Sequence, residues 1–501
     1  NMKNDVVDCE VSGTYFYQTG GSAIVVGNPQ HVYENDSLQP DFYVHHNSYD
    51  PDHPIEGATA DKEKYQNGLE AIPRNIKITN NLFATCAQLF PSNVTLTSFF
   101  TENLQVEHNW LKDIAYTGMS IGWGWGEFDG VANGFRDWGE PYRDSTLPGF
   151  PTNTCRENKI LNNRIDDTMQ ILTDGGSIYT LGKQDGTRIE GNYLRNTQFA
   201  LYQDEGSANF KPIKNNVSSG NSVYSIAAVG YGRKHDLTYD NNYATNASCG
   251  FGGTDIPTMK VVNKNFHHVE DGVWPLEAYL ITLDAGMQKE YVKKYADELI
   301  KLYKGAQNIV LPSSVQMNNG ESLPIMGFLG PEDKIWLAPA GTTDFSEGEK
   351  MTMAPGNAEN ITVPSLDGEY KLYVESSDGT VSGESTFAVR VHNTAPKLSR
   401  HTMELLMAGK VYGQLTVENL ADASGAVWSS DHPEIASVDQ NGLVKALQPG
   451  TATITAKIGS RLLTCNVTVK DYTVSTDALT MWFAADKGVT LAEDGKSVLE
   501  W

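Results

Sequence analysis

The strongest constraint on this chain is an asparagine that returns at a nearly fixed interval. It stands in NIKITNNLF at Asn80-Asn81, LQVEHNWL at Asn109, KILNNRI at Asn162-Asn163, RIEGNYL at Asn192, PIKNNVS at Asn215-Asn216 and LTYDNNY at Asn241-Asn242. The intervals are roughly 24 to 29 residues, with one near double that, which is the period range of solenoids. A short alternating strand such as Ile76-Lys77-Ile78 precedes each asparagine, and another short apolar stretch follows it. Two or three short strands per repeat, with no helix between them, predict a parallel β-helix. A sandwich with Asn-rich turns is the competing fold, but its strands would not keep this register. The solenoid is expected over residues 1–270, with Asn81, Asn163, Asn192, Asn216 and Asn242 stacked along one corner.

Three interruptions project from the repeats. Residues 28–73 hold His31, His45, His46, His53, Asp41, Asp50 and Asp52, but their spacing matches no ligand pattern, so no metal is expected there. Residues 123–154 hold Trp123, Trp125, Trp138, Tyr142, Arg136, Arg143, Glu127, Asp129 and Asp137. Aromatics among carboxylates suit the CH-rich faces of sugars. The third is a short turn, 230–235, with Tyr231, Arg233 and His235.

The later segments have other periods. Residues 271–305 read as a helical cap: Trp274-Pro275-Leu276-Glu277 opens it, and Tyr291, Tyr295, Leu299 and Leu302 recur at helical spacing. A solenoid needs such cover over its last exposed edge. Residues 306–395 alternate as strands in YKLYV at 370–374 and FAVRV at 387–391, the size of one immunoglobulin-like sandwich. These later modules are expected to be spacers, since they show no clustered acids beside aromatics.

Composition narrows the partners. Net charge is −24, a surface that repels nucleic acid and anionic membranes. No apolar run is long enough for a bilayer. The five cysteines are far apart, without a CxxC pair, and indicate neither a disulfide framework nor zinc. The chain opens in what reads as the middle of a strand and stops abruptly at Leu499-Glu500-Trp501, as a piece of a longer, N-terminally truncated protein would.

The candidate chemistry lies in 173–207, where two acidic turns, Asp174-Gly175-Gly176 and Asp204-Glu205-Gly206, are about one repeat apart. Asp174 lies eleven residues past Asn163 and Asp204 twelve past Asn192. These near-equal offsets predict almost the same angular position on successive coils, with carboxylates roughly 5–8 Å apart. That range covers the acid pairs of retaining and inverting glycoside hydrolysis. One acid would hold a proton and the other stay ionised. GMSIGWGWG at 118–126 brings Trp123 and Trp125 to the same face, with Tyr179, Tyr202, Arg233 and His235 as further substrate contacts. Turn chemistry alone is the competing explanation for DGG and DEG. Glu205, Glu127, Asp129 and Asp137 are the rival acids.

TGMSIGWGWG, LTDGGSIYTLG, LYQDEGS, WPLEA and DAGMQKEY resemble the right-handed parallel β-helix proteins of glycoside hydrolase family 141 and its relatives, over roughly residues 70–305. The resemblance implies action on plant cell-wall glycans, with fucosidase or xylanase activity and two catalytic acids, matched here by Asp174 and Asp204. In residues 396–471, VWSSDHPEIASVDQNGLVKALQPGTATITAKIG is similar to a bacterial immunoglobulin-like group 2 domain, through Trp428, Ser429, Ala436, Val438, Gly442, Val444 and Gly450. Residues 472–501 resemble the start of a concanavalin-like module.

The expected whole is an all-β protein. A right-handed parallel β-helix with a helical C-terminal cap is followed by two immunoglobulin-like sandwiches. The expected function is a secreted or surface-held bacterial glycoside hydrolase, monomeric, without a cofactor, acting on a polysaccharide or oligosaccharide. The alternatives are a polysaccharide lyase on uronate-containing glycans, which would need a basic residue on a face whose main cation is Arg233, and a noncatalytic glycan-binding adhesin.

Overall fold

The computed structural model describes residues 2, 6–27, 73–122, 155–220, 222–228, 234, 236–251, 261–392, 397–407, 409–418, 425–458 and 461–471, with the backbone of 490–491 and 498–500. The chain divides into two compact units, Asn1–His392 and Asn393–Trp501.

The first unit is built on three parallel sheets. The first sheet has eight strands beginning with Glu10–Ser12, the second has eight beginning with Tyr15–Tyr17, and the third has seven, from Ile24–Val26 to Cys249–Gly250. Successive coils give one strand to each sheet, so residues in like positions stack. Ile78, Val106, Ile160, Ile189, Ile213 and Tyr239 form one such inward row, each fully buried. This is a parallel β-helix, as the repeat predicts.

The asparagine corner explains the repeat. The residue before each asparagine has a left-handed backbone: Asn80, His108, Asn162, Gly191, Asn215 and Asn241 have φ between 51° and 70°. Asparagine and glycine tolerate that conformation best. The next residue, Asn81, Asn109, Asn163, Asn192, Asn216 or Asn242, is buried, and each of the first five donates its amide to the side-chain oxygen of the following one at 2.9–3.0 Å. The same oxygens also accept backbone N–H groups, as Asn192 Oδ1 does from Asn163 at 2.9 Å. Asn163→Ala is therefore expected to strand several buried groups, among them the Asn109 backbone N–H and the Val106 carbonyl. Each costs roughly 1–3 kcal/mol if left without a partner. Urea denaturation should show a lower midpoint for this variant than for Asn162→Gly, which keeps the left-handed backbone and loses only the exposed bond to Asp284.

The helical segment comprises Leu276–Asp284, Lys289–Lys294, Ala296–Tyr303 and Gln307–Val310. It lies along the outer face of the second sheet. Tyr295 Oη and Lys294 Nζ donate to the Gly13 carbonyl in the first coil, Gln288 N–H to Asn80 Oδ1, and Trp110 Nε1 to Tyr303 Oη. The reason lies in the side chains beneath. Leu82, Trp110, Tyr193, Val217 and Tyr243 point outward from the second sheet and share one core with Trp274, Tyr279 and Leu299. An apolar face of that size must be covered.

The first immunoglobulin-like module belongs to the same core. Val273–Trp274, at the end of the coils, pairs in parallel with Ser314–Met317 of its six-stranded sheet, and Val315, Leu323 and Val389 join the helices in burying each other. The second unit is an immunoglobulin-like sandwich of four- and three-stranded sheets around Trp428, Leu405, Val444, Ile454 and Val467. Gly442 turns there with φ +78°, where a Cβ would meet the Leu415 carbonyl at 2.4 Å, so its place in the motif is steric. Apart from one antiparallel pair, Thr490–Leu491 with Val498–Glu500, residues 472–501, where the sequence suggests the start of a concanavalin-like module, lie outside the described residues.

Candidate active site

The outer face of the third sheet carries an aromatic patch. Tyr179, on strand Ile178–Thr180, is paired across one coil with Tyr202, on strand Phe199–Gln203. Their rings meet edge to face with centroids 5.0 Å apart. Phe199 packs on Tyr202 and stacks on Tyr224, at 4.7 and 5.6 Å. Tyr179 and Tyr224 remain partly exposed, so the patch offers ring surface to a ligand.

Each of the two tyrosines serves the acid held by the other's coil. Tyr179 Oη donates to Asp204 Oδ2 at 2.6 Å, and Tyr202 Oη donates to Asp174 Oδ1 at 3.3 Å. Asp204 directly follows the Tyr202 strand, and its N–H bonds the Thr180 carbonyl at 3.0 Å. Asp174 sits in the loop before the Tyr179 strand, with φ +65°. That loop is pinned by the Asp174 N–H donating to Gln198 Oε1 at 2.8 Å and by Tyr116 Oη donating to the Asp174 carbonyl at 2.6 Å. Gly175 and Gly176 let the loop close on its neighbours: an added Cβ would meet Thr117 Oγ1 at 2.2 Å and the Phe199 carbonyl at 2.5 Å.

The two acidic turns do not stack, contrary to the equal-offset reading. Ile178 pairs with Leu201, yet Ile178 follows Asn163 by fifteen residues and Leu201 follows Asn192 by nine. The extra residues form the Asp174 loop. In register, Asp204 stands level with Leu181, so the acids lie at opposite ends of the strand pair and the crossed tyrosines link them.

The acids also differ in environment. Asp174 is exposed and Asp204 half-buried. Burial pushes the Asp204 carboxyl above the usual carboxylate range. The Tyr179 hydroxyl and the Lys234 charge act against this, and the Asp174 charge adds to it. Burial likewise raises the Tyr179 and Tyr202 hydroxyls, reinforced by the nearby aspartates, so both stay protonated donors.

The sequence marks Arg233, not Lys234, as the cation of this face. Lys234 is 1% exposed. Burial lowers its ammonium to about 8, against the pull of Asp204 and Glu205. A lone lysine in a polar run, GYGRKHD, carries no periodic mark of burial. Trp123, Trp125, Glu127, Asp129, Asp137, Arg233 and His235 lie outside the described residues, as does the His-rich segment 28–72. Among the described residues no three His, Cys, Asp or Glu side chains come together as metal ligands, and no helix is long and apolar enough to cross a membrane.

A bacterial Ig-like domain model, of the Big-like type, matches residues 425–471. No curated protein matches the chain. Among solved structures, one described as a glycoside hydrolase is similar at 18% identity and a TM-score of 0.35, over 58% of this chain and 36% of that one. The surface glycan-binding protein SGBP-B of a Bacteroides ovatus mixed-linkage glucan utilization locus is similar at 14% identity and a TM-score of 0.12, over 31% of this chain and 43% of that one. A C-terminal fragment of intimin is similar at 20% identity and a TM-score of 0.15, over 28% of this chain and 53% of that one. The chain thus spans little more than a third of the glycoside hydrolase. At TM-scores of this size the likenesses carry no functional weight.

Proposed function

We propose that the first unit is a glycoside hydrolase that cleaves glycosidic bonds in a complex polysaccharide, with Asp174 and Asp204 as its two acids. The observation that supports this most is the crossed pairing of two carboxylates with two tyrosines on an aromatic, outward-facing patch. Sugars need such ring faces, and their hydrolysis needs one acid that holds a proton and one that does not. Burial raises the Asp204 carboxyl while Asp174 is exposed, so in this reading Asp204 takes the general-acid role and Asp174 is its partner. The family resemblance supports plant cell-wall glycans as substrates and a fucosidase- or xylanase-like activity. The bacterial Ig-like match fits a protein working outside the cell. The reading is tested by incubating the chain with a panel of plant and host glycans and measuring released reducing sugar; no release from any of them sinks it.

Tyr179→Phe probes the same geometry. It removes a hydroxyl that bonds Asp204 at 2.6 Å while keeping the ring. A hydrogen bond to a charged group contributes about 1.5–3 kcal/mol, so kcat should fall roughly ten- to a hundredfold, with the melting temperature little changed. An unchanged kcat would show that the bond does not act in the transition state.

One observation favours a second reading, a polysaccharide lyase. Lys234, lowered to about 8, is a base of the kind needed to take a proton beside a uronate carboxylate. A lyase would leave an unsaturated product that absorbs in the ultraviolet, and a hydrolase would not.

A further inference from the structure

We infer that Gln198 is a substrate-binding residue: its side-chain nitrogen, held beside the Asp174 turn, donates to a hydroxyl of a neutral sugar. This rests on the hydrolase reading above, in which Asp174 is one of the two acids.

Gln198 lies in the short connection between strands Tyr193–Arg195 and Phe199–Gln203, one coil on from the Asp174 loop. Its Oε1 accepts the Asp174 N–H at 2.8 Å. A backbone N–H can only donate, so the amide oxygen must face it and the amide nitrogen must face away. The backbone of Gln198 is fixed as well. Its carbonyl accepts the Val223 N–H at 2.8 Å and the Ser222 hydroxyl at 3.4 Å, both from the next coil. A glutamine anchored at both ends has given up rotamers before a ligand arrives. It therefore loses little further freedom on binding one.

What remains is an unused donor. Nε2 carries two protons, and among the described residues no acceptor takes either of them. Gln198 is partly exposed, and Asp174 beside it is exposed. Asp174 Oδ1 accepts from Tyr202 Oη at 3.3 Å, while Oδ2 has no partner among the described residues. One turn thus presents a free amide donor and a free carboxylate oxygen. Sugar hydroxyls both donate and accept, so they can use the two together. A uronate carboxylate only accepts, and the Asp174 charge repels it.

The ring surface begins at the next residue. Phe199 stacks on Tyr224 with centroids 5.6 Å apart and 12° between the planes. Sequence neighbours therefore supply the apolar face and the polar donor, the combination by which pockets hold and orient small ligands.

A role confined to holding the Asp174 turn has a different consequence. Loss of the side chain would then weaken every ligand of the site alike. A donor to one hydroxyl is felt only by sugars that carry that hydroxyl, and a double-mutant cycle between residue and ligand separates the two.

The experiment titrates the full chain with methyl xyloside, methyl fucoside and methyl glucuronide, and with each monodeoxy form of the two neutral glycosides. The Gln198 side-chain amide is followed by NMR, assigned by its loss in Gln198→Met. A neutral glycoside should move that signal, and one monodeoxy form should not. Gln198→Met should weaken the parent glycoside roughly two- to tenfold, the worth of one neutral hydrogen bond, and leave that monodeoxy form unaffected. The glucuronide should bind more weakly than either neutral glycoside. Equal weakening of parent and monodeoxy forms overturns the inference, as does an amide signal that no neutral glycoside moves. If Gln198→Met does not fold, the wild-type signal decides: a response that survives removal of every hydroxyl in turn overturns the inference. If the amide responds as expected but no glycan of the panel releases sugar, Gln198 keeps its sugar contact and the hydrolase reading falls.

Discussion

Asp204→Asn is expected to leave a folded protein that has lost about two to four orders of magnitude in kcat, the usual contribution of a general acid. Asparagine keeps the size of the side chain and can still accept the Tyr179 hydroxyl through its carbonyl oxygen. The turn stays tied by bonds that do not involve the side chain, from Asp204 N–H to the Thr180 carbonyl and from Ser207 N–H to the Asp204 carbonyl. What the variant cannot do is give up a proton. Asp174→Asn should lose a comparable factor with even less effect on stability, because Asp174 is exposed and its loop is held through its backbone N–H and carbonyl. Acids that act as a unit do not add, so the double variant should be scarcely slower than the worse single one. Two results would count against the pair. Near-full turnover by either variant on a true substrate moves the chemistry to Glu205 or to the acids of 123–154. A collapse of the melting temperature makes the aspartates turn residues, the role that the close contacts of Gly175 and Gly176 already assign to their neighbours.

The asparagine corner was legible because the backbone allows it little choice. At this corner a left-handed residue is followed by an asparagine whose amide bonds both neighbouring coils, so the same asparagine recurs on coil after coil. The geometry of the proposed site was only half legible. Both acids and both tyrosines could be named, but their mutual placement depended on the loop between the second and third sheets, which nothing holds to constant length. The coil with Asp174 spends six residues more there than the next one does, and counting from the corner could not reveal it. Lys234 left no mark at all. The seating of the helices did leave one. Leu82-Phe83-Ala84, Trp110-Leu111 and Tyr193-Leu194 put apolar residues on both faces of the second sheet. A strand apolar on both sides must be buried on both sides, so the outer face was already marked for cover.

That cover is fastened by a buried ion cluster, and breaking it should give the largest loss of stability. Arg164 is 1% exposed and Asp166 fully buried, with Arg164 Nε 2.9 Å from Asp166 Oδ2. The guanidinium lies over the rings of Trp110 and Tyr303, at 4.5 and 4.9 Å. Tyr303, from the helical segment, donates its hydroxyl to the same carboxylate, and Arg195 stands 3.7 Å from its other oxygen. Burial opposes ionisation of Asp166, yet the two guanidiniums and the tyrosine together hold its carboxyl below the ordinary range. Arg164→Ala leaves that carboxylate buried with too little compensation and should cost about 3–5 kcal/mol. The sign with pH follows. A carboxyl held low in the fold stabilises above its unfolded pKa and loses that contribution as pH falls through the folded one. With Arg164 gone the folded pKa rises, so acid unfolding should begin at a higher pH than in wild type. Replacing both partners, Arg164→Met with Asp166→Leu, should recover part of the loss, since it removes the buried charge as well as its partner. The damage should also reach the site. Asp166 opens the stretch that leads to Asp174, where Asp167 bonds Lys112 and Asn196, and Thr168 bonds Thr197. Denaturant titration followed by tryptophan fluorescence reports the clamp through Trp110 and Trp274. A cost below about 1 kcal/mol, the ordinary effect of a surface ion pair, would mean that apolar contact alone fastens the helices.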